Sequence, residues 1–132
     1  MILHHIGIVV DTLDEAAPLM ERWMDAHRVG PVIEDEAQHA RIQLYLMGDD
    51  TFFEVIEPMH APGSPIHEVG DYHLCYTVPD LDAEMHRLHE LGVVVSKTVE
   101  NTPHFGNHRM AFLATHSGQL LELLEDAKMP VM

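Results

Sequence analysis

The chain has 132 residues, of which 22 are acidic and 7 are basic, so its formal net charge is −15 at pH 7. A charge of this sign disfavours nucleic acid and anionic membranes as partners. No apolar run approaches the roughly 20 residues of a membrane span, no signal peptide is recognisable, and the single cysteine, Cys75, excludes an internal disulfide. The composition therefore predicts a cytoplasmic protein with a real hydrophobic core.

The beginning of the chain predicts a strand followed by a helix. Residues 2–10 are rich in Ile and Val, and Thr12 and Glu15 after them resemble a capping box. Apolar residues then recur at helical spacing as far as Gly30-Pro31, which predicts a helix that stops there. Pro18 lies near the first turn, so we expect a late start or a kink at that position.

Two β-like runs complete the first half, and a linker follows them. The runs are 39–47 and 51–57, and Gly48-Asp49-Asp50 between them is a hairpin signal. Residues 59–70 contain several Pro and Gly residues, which is typical of a linker.

The second half repeats this order of elements. It predicts a strand at 71–78, a helix at 80–91 capped by Asp80 and closed by Gly92, and strands near 93–97, 108–115 and 119–125. Each half is thus about βαβββ, an α+β arrangement. Because a sheet with a single helix leaves one face open, we expect modules 1–58 and 71–126 to pair in one domain, 1–132.

Two kinds of metal-binding residue recur at one offset. His73 follows His5 by 68 residues, and Glu122 follows Glu54 by the same 68. The flanking residues repeat as well, since FFEVIE around Glu54 aligns with LLELLE around Glu122. A duplicated unit therefore carries the same histidine and glutamate twice, which predicts a metal site and not only a fold.

The alternation of side chains along a strand selects which neighbouring histidine belongs to this set. His5 and His4 project from opposite faces, and His4 shares its face with apolar residues that suit packing under a helix. Glu54 and Glu122 are each flanked on their own face by Phe, Ile or Leu, which desolvates the carboxylates unless a cation compensates. Two imidazoles and two carboxylates suit Zn, Ni, Co, Mn or Fe(II) better than Ca.

The remaining reactive side chains receive structural interpretations. Cys75 is expected to be a buried small hydrophobe, and His86 and His89 are expected to face solvent from the second helix. No catalytic role is assigned to the histidines of the later loops and strand ends, which are His104, His108 and His116.

Four segments resemble the glyoxalase/bleomycin-resistance/dioxygenase group, the vicinal oxygen chelate superfamily. They are LHHIGIVVDTLDEA, FFEVIEP, YHLCYTVPDLDAEMHRLHELGV and MAFLATHSGQLLELLE. The resemblance implies a curved mixed sheet, formed by two βαβββ modules, around a metal cavity. It also implies a metal site made of His5, Glu54, His73 and Glu122, a small-molecule substrate and a homodimer, with the modules pairing within one chain or swapped between two.

Within this group the chain is most similar to methylmalonyl-CoA epimerase-like proteins. The resemblance implies a metal-dependent isomerase or epimerase that stabilises an enolate of an acyl-CoA or α-keto substrate, with Glu54 or Glu122 moving the proton. Such epimerases carry another glutamate where this chain has Ile42; a register slip would offer Glu34, Glu36 or Gln43. The alternatives are a glyoxalase I-like lyase, an Fe(II) dioxygenase and a non-catalytic binding or resistance protein.

Overall fold

A computed structural model describes residues 1–36, 38–48, 50–59, 68–99, 108–115 and 117–125. The chain divides into two compact units. The first unit is His5–Tyr72, and the second joins Met1–His4 to the chain from His73 onward. Within the described ranges, no helix is both long enough and apolar enough to cross a membrane.

Eight strands and two helices form the described part of the chain. The elements are β1 (Ile2–Val9), α1 (Leu13–Pro18), β2 (His27–Asp35), β3 (Ala40–Leu46), β4 (Phe52–Pro58), β5 (Tyr72–Val78), α2 (Leu81–Glu90), β6 (Val94–Val99), β7 (Met110–Ala114) and β8 (Leu120–Glu125). This order confirms the predicted α+β class with two βαβββ repeats.

The two units pair their strands in the same way. The strand order is β2-β3-β4-β1 in the first unit and β5-β8-β7-β6 in the second. In each unit the first and last strands are parallel, with Gly7 opposite Glu54 and Cys75 opposite Glu122. The other pairings are antiparallel, so each unit contributes a mixed sheet.

The prediction of a helix reaching Gly30-Pro31 was wrong. The α-helix ends at Pro18 and continues as a π-helical turn, Leu19–Trp23, before β2 begins. The missing N–H of Pro18 explains the change of helix type, because proline removes one bond of the i to i−4 ladder. Gly30 has a φ of 71° and lies in a bulge of β2. Among the described strands β2 pairs with β3 alone, and as an edge strand it tolerates the proline.

The start of each helix is braced to the last strand of its unit. In the first unit the N–H of Leu13 donates to Glu57 Oε1 at 2.9 Å, and Arg41 donates to Glu57 Oε2 at 3.0 Å. In the second unit the N–H of Leu81 donates to Glu125 Oε2 at 2.8 Å. The two glutamates are themselves 68 residues apart, so the brace is part of the duplication.

Each unit buries a core between its helix and one face of its sheet. The first core consists of Leu13, Ala16, Met20, Ala26, Tyr45 and Val55. The second consists of Val78, Leu81, Leu88, Ala111, Leu113 and Leu123. The sheet face that packs on the helix is therefore apolar in both units. The opposite face of each sheet is the one that can carry a functional site.

Candidate metal centre

The first unit brings His5 and Glu54 together on the sheet face that points away from its helix. Gly7 lies opposite Glu54 in the parallel β1–β4 pairing. Because His5 is two residues from Gly7, it projects from the same face as Glu54. His5 Nε2 lies 3.6 Å from Glu54 Oε2, and both side chains are fully buried. We call this surface the donor face of the first unit.

The second unit repeats the arrangement with His73 and Glu122. Cys75 lies opposite Glu122 in the β5–β8 pairing, so His73, two residues earlier, shares the face of Glu122. His73 Nε2 lies 3.1 Å from Glu122 Oε2. The ring of Phe112 contacts the His73 imidazole edge-on, with centroids 5.7 Å apart and an angle of 89° between the planes. This surface is the donor face of the second unit.

The nitrogen–oxygen separations suit two ligands of one metal ion. Two ligand atoms that are each about 2.1 Å from an ion such as Zn²⁺, at roughly 90° to 110°, are about 3.0–3.4 Å apart. The separation of 3.1 Å in the second unit lies within this range, and the separation of 3.6 Å in the first unit is slightly longer. The separation in the first unit exceeds the usual N–H···O hydrogen-bond length of about 2.7–3.2 Å. The residue types and the burial of both pairs therefore fit a divalent metal, with a separation close to that of two ligands.

The surroundings of the two carboxylates are apolar. Glu54 lies opposite Leu44 and next to Ile56 on its face, and Ile56 is fully buried. Glu122 lies opposite Phe112 and next to Leu124, both of which are also fully buried. A carboxylate removed from water in this way requires a compensating positive charge, which a divalent ion would supply.

The other residues singled out in the sequence take the predicted positions where they are described. Cys75 is fully buried, and His86 and His89 are exposed on α2. His4 is buried at 1% exposure. His108 is partly exposed, and the predictions for His104 and His116 fall outside the described residues.

Ile42 projects from the donor face of the first unit and is buried. It lies opposite Ile56 in the β3–β4 pairing and packs with Val9, Ala40 and Ile56. The position at which the resemblance implies a glutamate is therefore apolar and buried in this protein. An isoleucine cannot transfer a proton, so any proton transfer must use other residues.

No replacement carboxylate comes from the register slips that the sequence allowed. Glu34 lies opposite Arg41 and projects from the helix-facing side, and Glu36 is exposed after the end of β2. Gln43 Nε2 donates to the carbonyl of Gly30 at 3.0 Å and thereby holds the β2 bulge. These three side chains have positions or contacts that separate them from the donor face.

Sequence reasoning missed a buried carboxylate, Asp35, at the end of β2. Asp35 is 1% exposed and lies opposite Ala40, on the same face as Ile42. Its two oxygens accept bonds from the backbone N–H of Gln38 at 3.2 Å and from the Gln38 amide at 2.7 Å. Both bonds link the end of β2 to Gln38, which precedes β3. Had β2 been predicted as a strand, the alternation of its side chains would have placed Asp35 on the donor face.

The arginines of the first unit that lie near α1 are held by acidic partners. Arg41 binds Glu57, and Arg28 binds Glu21 at 2.6 Å. Both line a cavity of about 50 Å³ on the helix-facing side of the sheet, together with Tyr45. Burial raises the pKa of the Tyr45 phenol above its ordinary value. This cavity is on the opposite side of the sheet from the donor face.

Comparison with known proteins agrees with this architecture. A curated relative, the ethylmalonyl-CoA/methylmalonyl-CoA epimerase of Cereibacter sphaeroides, is 31% identical in an alignment that covers 92% of this chain and 95% of the relative. Among solved structures, methylmalonyl-CoA epimerase from Mycobacterium tuberculosis has a TM-score of 0.74 at 24% identity, covering 96% of this chain and 88% of its own.

Two further structures show the same fold. A hypothetical protein from Bacillus halodurans has a TM-score of 0.75 at 20% identity, with 98% of this chain and 97% of the other covered. Glyoxalase I from Zea mays has a TM-score of 0.69 at 18% identity, and the match covers all of this chain but 44% of that protein. The sequence pattern of the Glyoxalase/Bleomycin resistance protein/Dioxygenase superfamily matches residues 4–112, and the chain belongs to this superfamily.

Proposed function

We propose that this protein is a metal-dependent epimerase of 2-substituted malonyl thioesters, with one divalent ion bound by His5, Glu54, His73 and Glu122. Each of these buried residues offers one ligand atom. The observation that carries the proposal is the repeated, buried histidine–glutamate pair, with nitrogen–oxygen separations of 3.6 and 3.1 Å. The similarity to a curated epimerase supports the substrate class.

The bound ion would supply Lewis acidity toward the oxygens of the substrate. The protein side chains would then handle the proton. Inversion at a carbon requires that a proton leave the carbon and that another return on the opposite side. Because Ile42 cannot take part, we assign these transfers to the carboxylates of Glu54 and Glu122. The apolar residues beside both carboxylates, such as Ile56 and Leu124, would keep water from the reacting carbon.

The direct test is exchange of solvent deuterium into C2 of methylmalonyl-CoA and ethylmalonyl-CoA, after the metal content of the purified protein has been measured. We expect exchange that depends on a divalent ion and that falls by at least about 100-fold in Glu54→Gln and Glu122→Gln. Glu90→Gln, an exposed glutamate on α2, is the matched control. Exchange at the wild-type rate in Glu122→Gln, or none in the metal-loaded wild type, contradicts the proposal.

A glyoxalase I-like lyase is the second candidate, because the same two histidines and two glutamates suit that chemistry. The two functions can be distinguished by the substrate that the protein converts. The lyase would convert the hemithioacetal of methylglyoxal and glutathione, whereas the epimerase would leave it unchanged. Activity with the hemithioacetal and no exchange with the malonyl thioesters would favour the lyase.

A further inference from the structure

One lysine shares the donor face of the second unit with the metal-binding pair. Lys97 lies opposite Phe112 in the β6–β7 pairing, and Phe112 lies opposite Glu122 in the β7–β8 pairing. Directly opposite residues project from the same face of a sheet, so Lys97, Phe112 and Glu122 form one row. Adjacent strands are about 4.8 Å apart, which puts the backbones of Lys97 and Glu122 roughly 10 Å apart.

A bulge in β6 gives Lys97 this orientation. Val95 lies opposite Leu113, whose side chain belongs to the core under α2. In a regular strand Lys97, two residues later, would project toward that same core. The register shifts between Val95 and Lys97, and the extra residue turns Lys97 to the donor face.

The first unit has no cation at the equivalent place. Val29 precedes Lys97 by 68 residues and lies opposite Leu44, which in turn lies opposite Glu54. The two rows therefore correspond position by position, but an apolar residue in one is replaced by a lysine in the other. Because the two units otherwise correspond at this row, Lys97 distinguishes the second unit from the first.

The neighbouring basic residues do not share this position. In the described part of the second unit, the lysines and arginines are Arg87, Lys97 and Arg109. Arg87 binds Glu84 on α2 at 2.9 Å, and Arg109 binds Asp82 on the same helix at 2.9 Å. Lys97 is the one of these three that lies on the donor face, and it is partly exposed. A ligand that reaches this face would thus meet one ammonium group in a protein with a net charge of −15.

We propose that Lys97 binds an anionic group carried by the acyl part of the substrate, and so selects carboxylated thioesters over neutral ones. This inference rests on the proposed function and deepens it. An ammonium group pairs with a carboxylate through charge-assisted hydrogen bonds. Beside Lys97 in this row lies the buried ring of Phe112, so a substrate carboxylate held there without the ammonium group would lose its hydration and gain no charged partner. The ammonium group of Lys97 would remove that penalty for a substrate with a carboxylate, and it would not improve the binding of a neutral substrate.

The test compares two ligands that differ in a single group. Isobutyryl-CoA carries a methyl group where methylmalonyl-CoA carries a carboxylate. Affinities for both are measured by calorimetry with the Co²⁺-loaded wild type and with Lys97→Met and Lys97→Arg. We expect Lys97→Met to weaken the binding of methylmalonyl-CoA about 10-fold while leaving isobutyryl-CoA unchanged, and Lys97→Arg to retain most of the affinity.

Arg87→Met is the control, because it removes one positive charge from the outer helix without touching the donor face. Four results would overturn the role of Lys97. They are an equal loss of affinity for both ligands in Lys97→Met, no loss of affinity in that variant, an equal loss in Arg87→Met, and no binding of methylmalonyl-CoA by the wild type. The proposed function and the role of Lys97 can be refuted independently. If binding depends on the charge of the substrate but no deuterium is exchanged, the epimerase function is refuted and the role of Lys97 stands. If deuterium is exchanged in a way that does not depend on Lys97, the role of Lys97 is refuted and the epimerase function stands.

Discussion

At the scale of single residues, the histidine–glutamate pairs combine burial with a geometry that suits a metal. Glu122 shows this most fully, because it is buried beside Leu124 and opposite Phe112, and its Oε2 is 3.1 Å from His73 Nε2. Each pair costs desolvation energy when it is charged. The proposed cation would offset that cost, so we expect the loss of one of the four side chains to lower the affinity for the metal.

We therefore expect Glu122→Gln to lower the affinity for Zn²⁺ or Co²⁺ by at least about 10-fold. The amide keeps the shape of the side chain but loses the negative charge. Competition with a chromogenic chelator measures the change, and Glu90→Gln serves as the control because Glu90 is exposed on α2. Equal affinities in the two variants would contradict a role for Glu122 as ligand.

Phe112 offers a second prediction at this scale. Its ring is fully buried and holds the His73 imidazole edge-on. Replacing it by leucine leaves a cavity and releases the imidazole, so we expect the free energy of unfolding to fall by about 1–3 kcal/mol and metal affinity to fall as well. Leu113→Met, on the helix-facing side of the same strand, tests whether packing alone has this effect. A loss of metal affinity in Leu113→Met equal to that in Phe112→Leu would show that the imidazole contact is not the cause.

At the scale of elements, the repeated brace connects each helix to the strand that carries its site glutamate. Glu57 and Glu125 follow Glu54 and Glu122 by three residues, and each accepts the first N–H of its helix. In the second unit the Arg109 guanidinium also lowers the pKa of the Asp82 carboxyl below its ordinary value. The brace thereby ties the position of the helix to that of the donor strand.

Glu57→Ala should lower the free energy of unfolding by about 2 kcal/mol, because it removes charge-assisted bonds to Leu13 N–H and to Arg41. Urea unfolding measures the change. Glu21→Ala removes an exposed ion pair with Arg28 and should cost less than about 1 kcal/mol. If both variants lose the same stability, the brace contributes no more than a surface ion pair.

At the scale of the whole molecule, the proposed metal binding should stabilise the folded state, because an ion that binds only the folded chain shifts the folding equilibrium toward it. At a free metal concentration about 100 times the dissociation constant, the gain is roughly 2.7 kcal/mol, which corresponds to a rise in Tm of about 8 °C for a chain of this size. Differential scanning calorimetry with and without Zn²⁺ tests this. The rise should vanish in a double Glu54→Gln, Glu122→Gln variant, and a rise that persists there would place the ion elsewhere.

Local patterns in the sequence predicted most of the elements, and they singled out four residues that the structure places in two buried histidine–glutamate pairs. Thr12 and Asp80 were recognised as helix caps, and each does cap a helix by accepting a backbone N–H. The strand β2 was missed because Gly30-Pro31 is a stop signal in local terms. An edge strand with a bulge accepts both residues, and this depends on pairing with β3 and not on propensity.

The sequence by itself determined the duplication, the alternation that groups His5 apart from His4, and the residue types that suit a divalent metal. Only the tertiary structure decided which strands are neighbours. The parallel registers that set Gly7 opposite Glu54 and Cys75 opposite Glu122 join segments far apart in the chain. The burial of Asp35 and the orientation of Lys97 toward the donor face also depend on strand pairings and on the bulges within them. Such pairings are chosen by long-range packing, which local periodicity does not contain.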